Sequence, residues 1–383
     1  MTKKNKKGAP CAPCDNGGCA AAANGKNPRL GRVGGGALIE GVMMRAGEDV
    51  AITCRDDKGA LHLSREKYVP LRKRHKWLNI PLLRGIVNFV ESLVVSMRAL
   101  NVSAETYGGE VEEGRFEKWM KKHLGIGLFD IATAIGTVLG VLLSVALFLY
   151  LPKLAVSGLE WLAAFDFPKW AEGAIEGGLK VAIFVLYIFL VSLIPDIRRT
   201  FAYHGAEHKS IACYEAGVAL TPENAKNYTR FHPRCGTSFM FVMILLGVAL
   251  GIGLRYLLPA EIVAIGWLYT LIRLALLPLV VGLGFEFIMF AGKHDGLFVR
   301  ILSAPGLWMQ RLTTREPDES MLEVAILSLK AALPDEFSDE DFSLYEKGED
   351  GQSGAPVPTN PSADDTAEKG SLPPTDATEG ENA

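Results

Sequence analysis

Three long apolar runs constrain this chain more than any other feature. Residues 128–151 carry no charge after Asp130, residues 179–195 are charged only at Lys180, and residues 238–254 are uncharged. Each is about long enough, as a helix, to cross a hydrocarbon core roughly 30 Å thick. A fourth run, 262–291, is longer than one span needs and contains Pro278, which predicts a kink or a broken, partly re-entrant element. The expected fold is a mainly α polytopic membrane protein with about four transmembrane helices. Buried helices of a large soluble protein are a poorer account, because three such runs exceed what a soluble core requires.

Basic residues set the expected orientation. Lys118, Lys121 and Lys122 precede the first run, and Arg198, Arg199, Lys209, Lys226, Arg230 and Arg234 lie between the second and third. The intervening loop offers Lys153 and Lys169 among Glu160, Asp166, Glu172 and Glu176. The positive-inside bias then places both termini and the 200–237 segment in the cytoplasm. Residues 1–26 are polar and lack the apolar core of a secretory signal.

The rest divides by composition. Residues 1–28 form a Cys/Ala/Gly-rich tail expected to be disordered, whose Cys11, Cys14 and Cys19 lack a nearby fourth partner for a metal. Residues 29–77 read as a small β-containing region: Val50, Ile52 and Cys54 alternate, Asp57, Lys58 and Gly59 turn, and Leu61 and Leu63 resume. Gly34, Gly35 and Gly36 suit tight turns and close packing, since neither a P-loop lysine and serine nor a full G-x-G-x-x-G follows. Residues 78–123 predict an interfacial or bundle-packing helix from Pro81, its charges Arg84, Glu91 and Arg98 too evenly spread for a span. The preceding Arg72, Lys73, Arg74, His75 and Lys76 would meet anionic lipid. Residues 124–333 hold the bundle, and 334–383 form an acidic tail expected to be disordered. The net charge of −3 thus hides a basic body and an acidic end, with no nucleic-acid partner expected.

Chemistry concentrates at His204, Glu207 and His208, joined later by His232 and Cys235. On a helix, residues four apart lie within about 40° of each other, so His204 and His208 form a pincer for a metal ion. The order H-x-x-E-H is that of inverted zincins, with Glu207 as the base. His232 and Cys235 have a two-residue gap that lets both reach one ion. Continuing the helix puts Glu215 about 20° from His204, as an orienting group or a ligand of a second ion. Gly217 ends that helix, and Thr221 and Pro222 start another. Glu286 is costly in an apolar run unless it faces a polar interior; it is a further ligand candidate, with Arg273 as its expected partner. His294 and Asp295 could also reach the inner surface.

The strings at 35–45 (G-G-A-L-I-E-G-V-M-M-R), 203–215 (Y-H-G-A-E-H-K-S-I-A-C-Y-E) and 230–238 (R-F-H-P-R-C-G-T-S) make the chain resemble the bacterial DUF1385, or YqhQ-like, family over roughly residues 29–333. The resemblance implies an integral protein of the bacterial cytoplasmic membrane, described as a predicted metal-dependent enzyme with no reaction class attached. It directs attention to Glu40, His204, Glu207, His208, Glu215, His232 and Cys235.

Ligand count separates the functional expectations. If His204, His208, His232 and Cys235 all bind, the site is closed and structural, as in a membrane scaffold or regulator. If three bind, water takes the fourth position and Glu207 is placed to take its proton, as in a zinc-dependent hydrolase or peptidase. A divalent metal is expected, with zinc the default for His and Cys ligands. A transporter using Glu286 and Arg273 ranks third, because four spans would need an oligomer. The substrate is not legible.

Overall fold

The computed structural model describes residues 27–108, 128–291 and 297–346. Cys11, Cys14, Cys19, His294 and Asp295 lie outside the described residues, as do 109–123 of the expected interfacial region, 124–127 at the start of the bundle and 347–383 of the acidic tail.

An antiparallel meander opens the described chain: β1 (Val33–Leu38), β2 (Gly41–Ala46), β3 (Asp49–Arg55) and β4 (Leu61–Lys67), in that spatial order. The turns have local causes. Gly47 and Gly59 take left-handed φ values of 66° and 88°, and Asp56 Oδ1 accepts from the amides of Lys58 and Ala60 at 3.0 and 2.7 Å. Strand alternation then sorts the side chains between two faces. Val42, Met44, Ala51 and Leu63 enter one core with Tyr203 and Leu322, while Leu38, Met43, Ile52 and Cys54 enter another with Val95 and Ala99.

Among the described residues ten longer helices follow: α1 (Leu83–Gly108), α2 (Leu128–Val145), α3 (Leu151–Ala163), α4 (Lys169–Val191), α5 (Pro195–Glu215), α6 (Gly236–Leu257), α7 (Gly266–Ala275), α8 (Leu277–Ala291), α9 (Leu297–Thr313) and α10 (Glu319–Ala331). A π-helical turn, Ala146–Tyr150, joins α2 to α3. Among the described residues, Leu83–Gly108, Ala134–Ala163, Lys169–Val191 and Phe239–Leu257 are long and apolar enough to cross a membrane. The pair Gly266–Ala275 and Leu277–Phe290 qualifies together and bends by 41°. Pro278 sits at the second position of α8, where its missing N–H costs nothing.

The segment expected to be interfacial is therefore apolar enough to span, yet both ends of α1 are packed. Val95, Ala99 and Ser103 are buried toward the sheet, Ser103 donating to the Ile39 carbonyl. A Cβ at Gly85 would lie 2.9 Å from the Gly282 carbonyl of α8. One helix thus ties the sheet to the apolar helices, leaving Val90, Leu93, Val94 and Met97 exposed.

Two further expectations are corrected. Arg273 does not pair with Glu286: it donates to Glu176 at 2.7 Å, alongside Lys180 and Arg255. Glu286 accepts from Arg84 Nε at 2.6 Å and Nη2 at 2.5 Å. Each carboxylate in an apolar helix has thus recruited a cation from a neighbouring helix, because an unpaired charge there is expensive. The acidic tail also begins later than residue 334. Phe342 is buried, Phe337 and Tyr345 pack on the main core, and Leu63 donates its amide to the Tyr345 carbonyl at 2.7 Å. These aromatics supply enough apolar area to hold an otherwise acidic segment.

A candidate metal centre on helix α5

Helix α5 is buried along most of its second half between β1 and α10. Gly205 permits the crossing of the chain after α9. A Cβ there would clash with the Arg315 carbonyl oxygen and stand 3.2 Å from its carbon, and Arg315 donates its amide to the Phe201 carbonyl at 2.8 Å. That close approach brings the Thr313 carbonyl to His204 Nδ1 at 2.9 Å. His208 Nδ1 lies 2.5 Å from the Arg230 carbonyl. A carbonyl only accepts, so both Nδ1 atoms carry the proton and both Nε2 lone pairs point elsewhere.

Those lone pairs meet a thiol. His204, His208 and Cys235 each present one ligand atom such that all three lie within 4.8 Å of one another, with Cys235 Sγ 3.3 Å from His204 Nε2. Cys235 is the N-cap of α6, where its sulfur accepts from the Thr237 amide at 3.5 Å. Histidines with Nδ1 tied to carbonyls are the usual supporting arrangement of metal ligands.

Glu207 lies outside that three-residue group but near enough to His204 to feel its charge. It is 5% exposed, and its Oε2 has no hydrogen-bond partner among the described residues. Burial pushes its carboxyl up to about 7, against the opposing pull of His204. Its Oε1 would lie 3.1 Å from a Cβ at Gly35, so the missing side chain at Gly35 leaves the carboxylate room. Burial likewise holds His208 below the usual imidazole range. A neutral imidazole and an unpartnered buried carboxylate beside a thiol are what a divalent cation would satisfy.

The other anticipated residues take different places. His232 is near, its ring centroid 5.6 Å from that of His208, but its Nε2 lies 3.7 Å from Glu215 Oε2. Glu215 also accepts from Arg234 and from the Gly31 amide at 2.8 Å. Those partners hold its carboxyl below the ordinary range despite burial. It therefore pins the 232–235 turn rather than joining the ligand group. Glu40, in the β1–β2 turn, takes a bidentate contact from Arg199 and a 3.1 Å bond from the Tyr203 hydroxyl. Glu286 is engaged by Arg84.

Sequence reasoning missed the residues that set these positions. Gln310 donates to the His232 carbonyl at 2.7 Å and accepts from its amide at 2.8 Å, clamping the ligand turn to α9. A lone amide between Met309 and Arg311 was the only available signal. Thr313 and Arg230 act through backbone carbonyls, which no side-chain pattern announces.

The DUF1385 family model, described as a protein of unknown function, matches residues 80–335. The "Uncharacterized protein YqhQ" of Bacillus subtilis (strain 168) is 36% identical over 310 residues, covering 78% of this chain and 92% of that protein. No solved structure matches.

Proposed function

The chain belongs to the DUF1385 family, and we propose that it is a membrane-embedded metal-dependent hydrolase whose centre lies at the cytoplasmic face. The observation that carries this reading is the convergence of a ring nitrogen of His204, a ring nitrogen of His208 and Cys235 Sγ, with the buried Glu207 on the same helix leaving its Oε2 unpartnered. With His232 turned to Glu215, three protein ligands leave a fourth position for water, as catalytic zinc sites do. A divalent ion there would supply Lewis-acid activation of water and of the bond to be broken. With the ion held by His204, His208 and Cys235, Glu207 would be the residue to accept a proton from the activated water and pass it to the leaving group. Thr313 and Arg230 hold the two imidazoles in the tautomer that ligates.

Connectivity supports the membrane part. The strands, α5 and α10 share one core, so the chain must cross a bilayer an even number of times between β4 and α5, and again between α5 and α10. Because α1 packs on the sheet, the crossings are Ala134–Ala163 with Lys169–Val191, and Phe239–Leu257 with the bent pair. That is four spans. The basic residues of 72–76 and of α5 fall on the shared side, which the positive-inside bias makes cytoplasmic.

Metal content per chain in detergent-purified protein tests the centre. Wild type should hold one divalent ion, Cys235→Ala should lose it, and Glu207→Gln should retain it while abolishing hydrolysis in a screen of peptide and lipid esters. One observation favours a second reading, a closed structural site: the His232 ring is close enough for a rotation to make it a fourth ligand. Loss of metal in His232→Ala with retained abundance would select that reading. A well-folded wild type without metal would refute both.

A further inference from the structure

We propose that the cavity between the β1–β2 hairpin and helices α1 and α8 binds an anionic amphiphile, its acidic head at Arg45 and Arg72 and its apolar chain along Phe285 and Met289. The cavity measures about 480 Å³, within the range of small-molecule sites. It exists because β1 supplies no side chain to fill it: a Cβ at Gly34 would meet nothing within 4 Å.

The polar end of the cavity is cationic. Arg45 lies over the Tyr68 ring at 5.1 Å and donates Nε to the Gly47 carbonyl at 3.2 Å, which orients its guanidinium. Arg72 is exposed, whereas the adjacent Lys73 is occupied by Glu48 at 2.6 Å. Among the described residues neither arginine forms a salt bridge with a carboxylate. Glu91, the acid of the lining, is 3% exposed and already accepts from the Leu71 amide at 2.5 Å. Two guanidiniums facing one satisfied carboxylate suit a phosphate or carboxylate head, which arginine grips through paired N–H donors.

Part of the lining is apolar. Met43, Val95, Phe285 and Met289 contribute it, whereas the exposed Val90, Leu93, Val94 and Met97 occupy the opposite face of α1 from Asn88, Glu91 and Val95. A soluble anion would leave that apolar lining uncovered; a chain entering from the leaflet covers it. The inference uses the membrane reading but not the metal. Gly35 lines this cavity while its other face abuts Glu207, so the ligand would lie one strand's thickness from the proposed base.

Binding to full-length detergent-purified protein decides it, using native mass spectrometry with dioleoylphosphatidylglycerol, dioleoylphosphatidylcholine and free glycerol 3-phosphate. Phosphatidylglycerol should bind about 10-fold or more tightly than phosphatidylcholine, and the Arg45→Gln/Arg72→Gln double variant should erase that preference. Gly34→Leu, which fills open space, should block both lipids while metal content and unfolding temperature stay at wild-type values. Equal binding of the two lipids, or unchanged phosphatidylglycerol binding in Gly34→Leu, would overturn the proposal. Glycerol 3-phosphate competing as well as the whole lipid would also overturn it, in favour of a soluble anion. Lipid binding without metal would sink the hydrolase reading alone; metal without lipid binding would sink this inference alone.

Discussion

Gly205→Ala is the sharpest probe of how the centre is built. The added methyl falls inside contact distance of the Arg315 carbonyl oxygen and 3.4 Å from Pro317 Cδ. Backbone cannot rotate away as a side chain can, so the 313–317 segment must retreat by roughly 1 Å to restore contact distance. The Thr313 carbonyl then leaves the 2.9 Å bond to His204 Nδ1, since hydrogen bonds fail beyond about 3.2 Å. Overpacking of this kind costs about 1–3 kcal/mol, and the lost buried bond adds roughly 1 kcal/mol. Releasing the ring also lowers metal affinity by about 10–100-fold, the usual penalty for an orienting partner. Chelator competition on the purified protein reads the affinity, and unfolding of the metal-free form reads the stability. Wild-type metal affinity in a folded Gly205→Ala protein would refute the idea that the 313–317 crossing positions His204.

Glu207 gives a pH prediction for the metal-free protein. Its folded pKa is raised from 4.5 to about 7 by burial, so the folded state holds the proton more tightly than the unfolded chain. Below pH 4.5 both states are protonated and nothing is lost; as pH rises to 7 the folded state loses roughly 3 kcal/mol relative to the unfolded. Unfolding free energy compared between wild type and Glu207→Gln across that window should differ in slope, the variant lacking the decline, and parallel curves would contradict it. The topology predicts that Asp166→Cys reacts with an impermeant maleimide in intact cells, whereas Glu223→Cys reacts only after lysis. Labelling of both from outside would exclude the four-span arrangement.

Much of this architecture was readable because the periodicities involved are strong. The β3–β4 hairpin followed from alternation around Gly59, and the break near Pro278 from the chemistry of proline. The helical pincer followed from a four-residue spacing. What failed was partner choice. Arg273 and Glu286 lie in one apolar run, and only the packing of α4 against α6 and α7, and of α1 against α8, reveals that Glu176 and Arg84 are the true partners. The grouping was partly hidden for a similar reason: spacing says that His232 and Cys235 could share an ion, but not that Glu215, two helical turns past His208, faces the first of them. Likewise three aromatics among acids gave no period, so the ordered segment up to Glu346 read as tail.

The position of the centre in the chain bears on what it could act upon. Its candidate ligands come from α5, in the core shared with the sheet, and from the first residue before α6, the helix that enters an apolar run. Its supporting carbonyl comes from the last residue of α9. The cluster therefore sits where the polar core joins the apolar helices, and Gly35 lies between Glu207 and a cavity lined by α1 and by Phe285 and Met289 of α8. A water-soluble substrate has no need of that neighbourhood, whereas one with a chain in the leaflet would bring its head to this depth. On the hydrolase reading, lipid-linked esters are thus the first compounds to screen; turnover confined to soluble peptides would argue that the cavity serves another end.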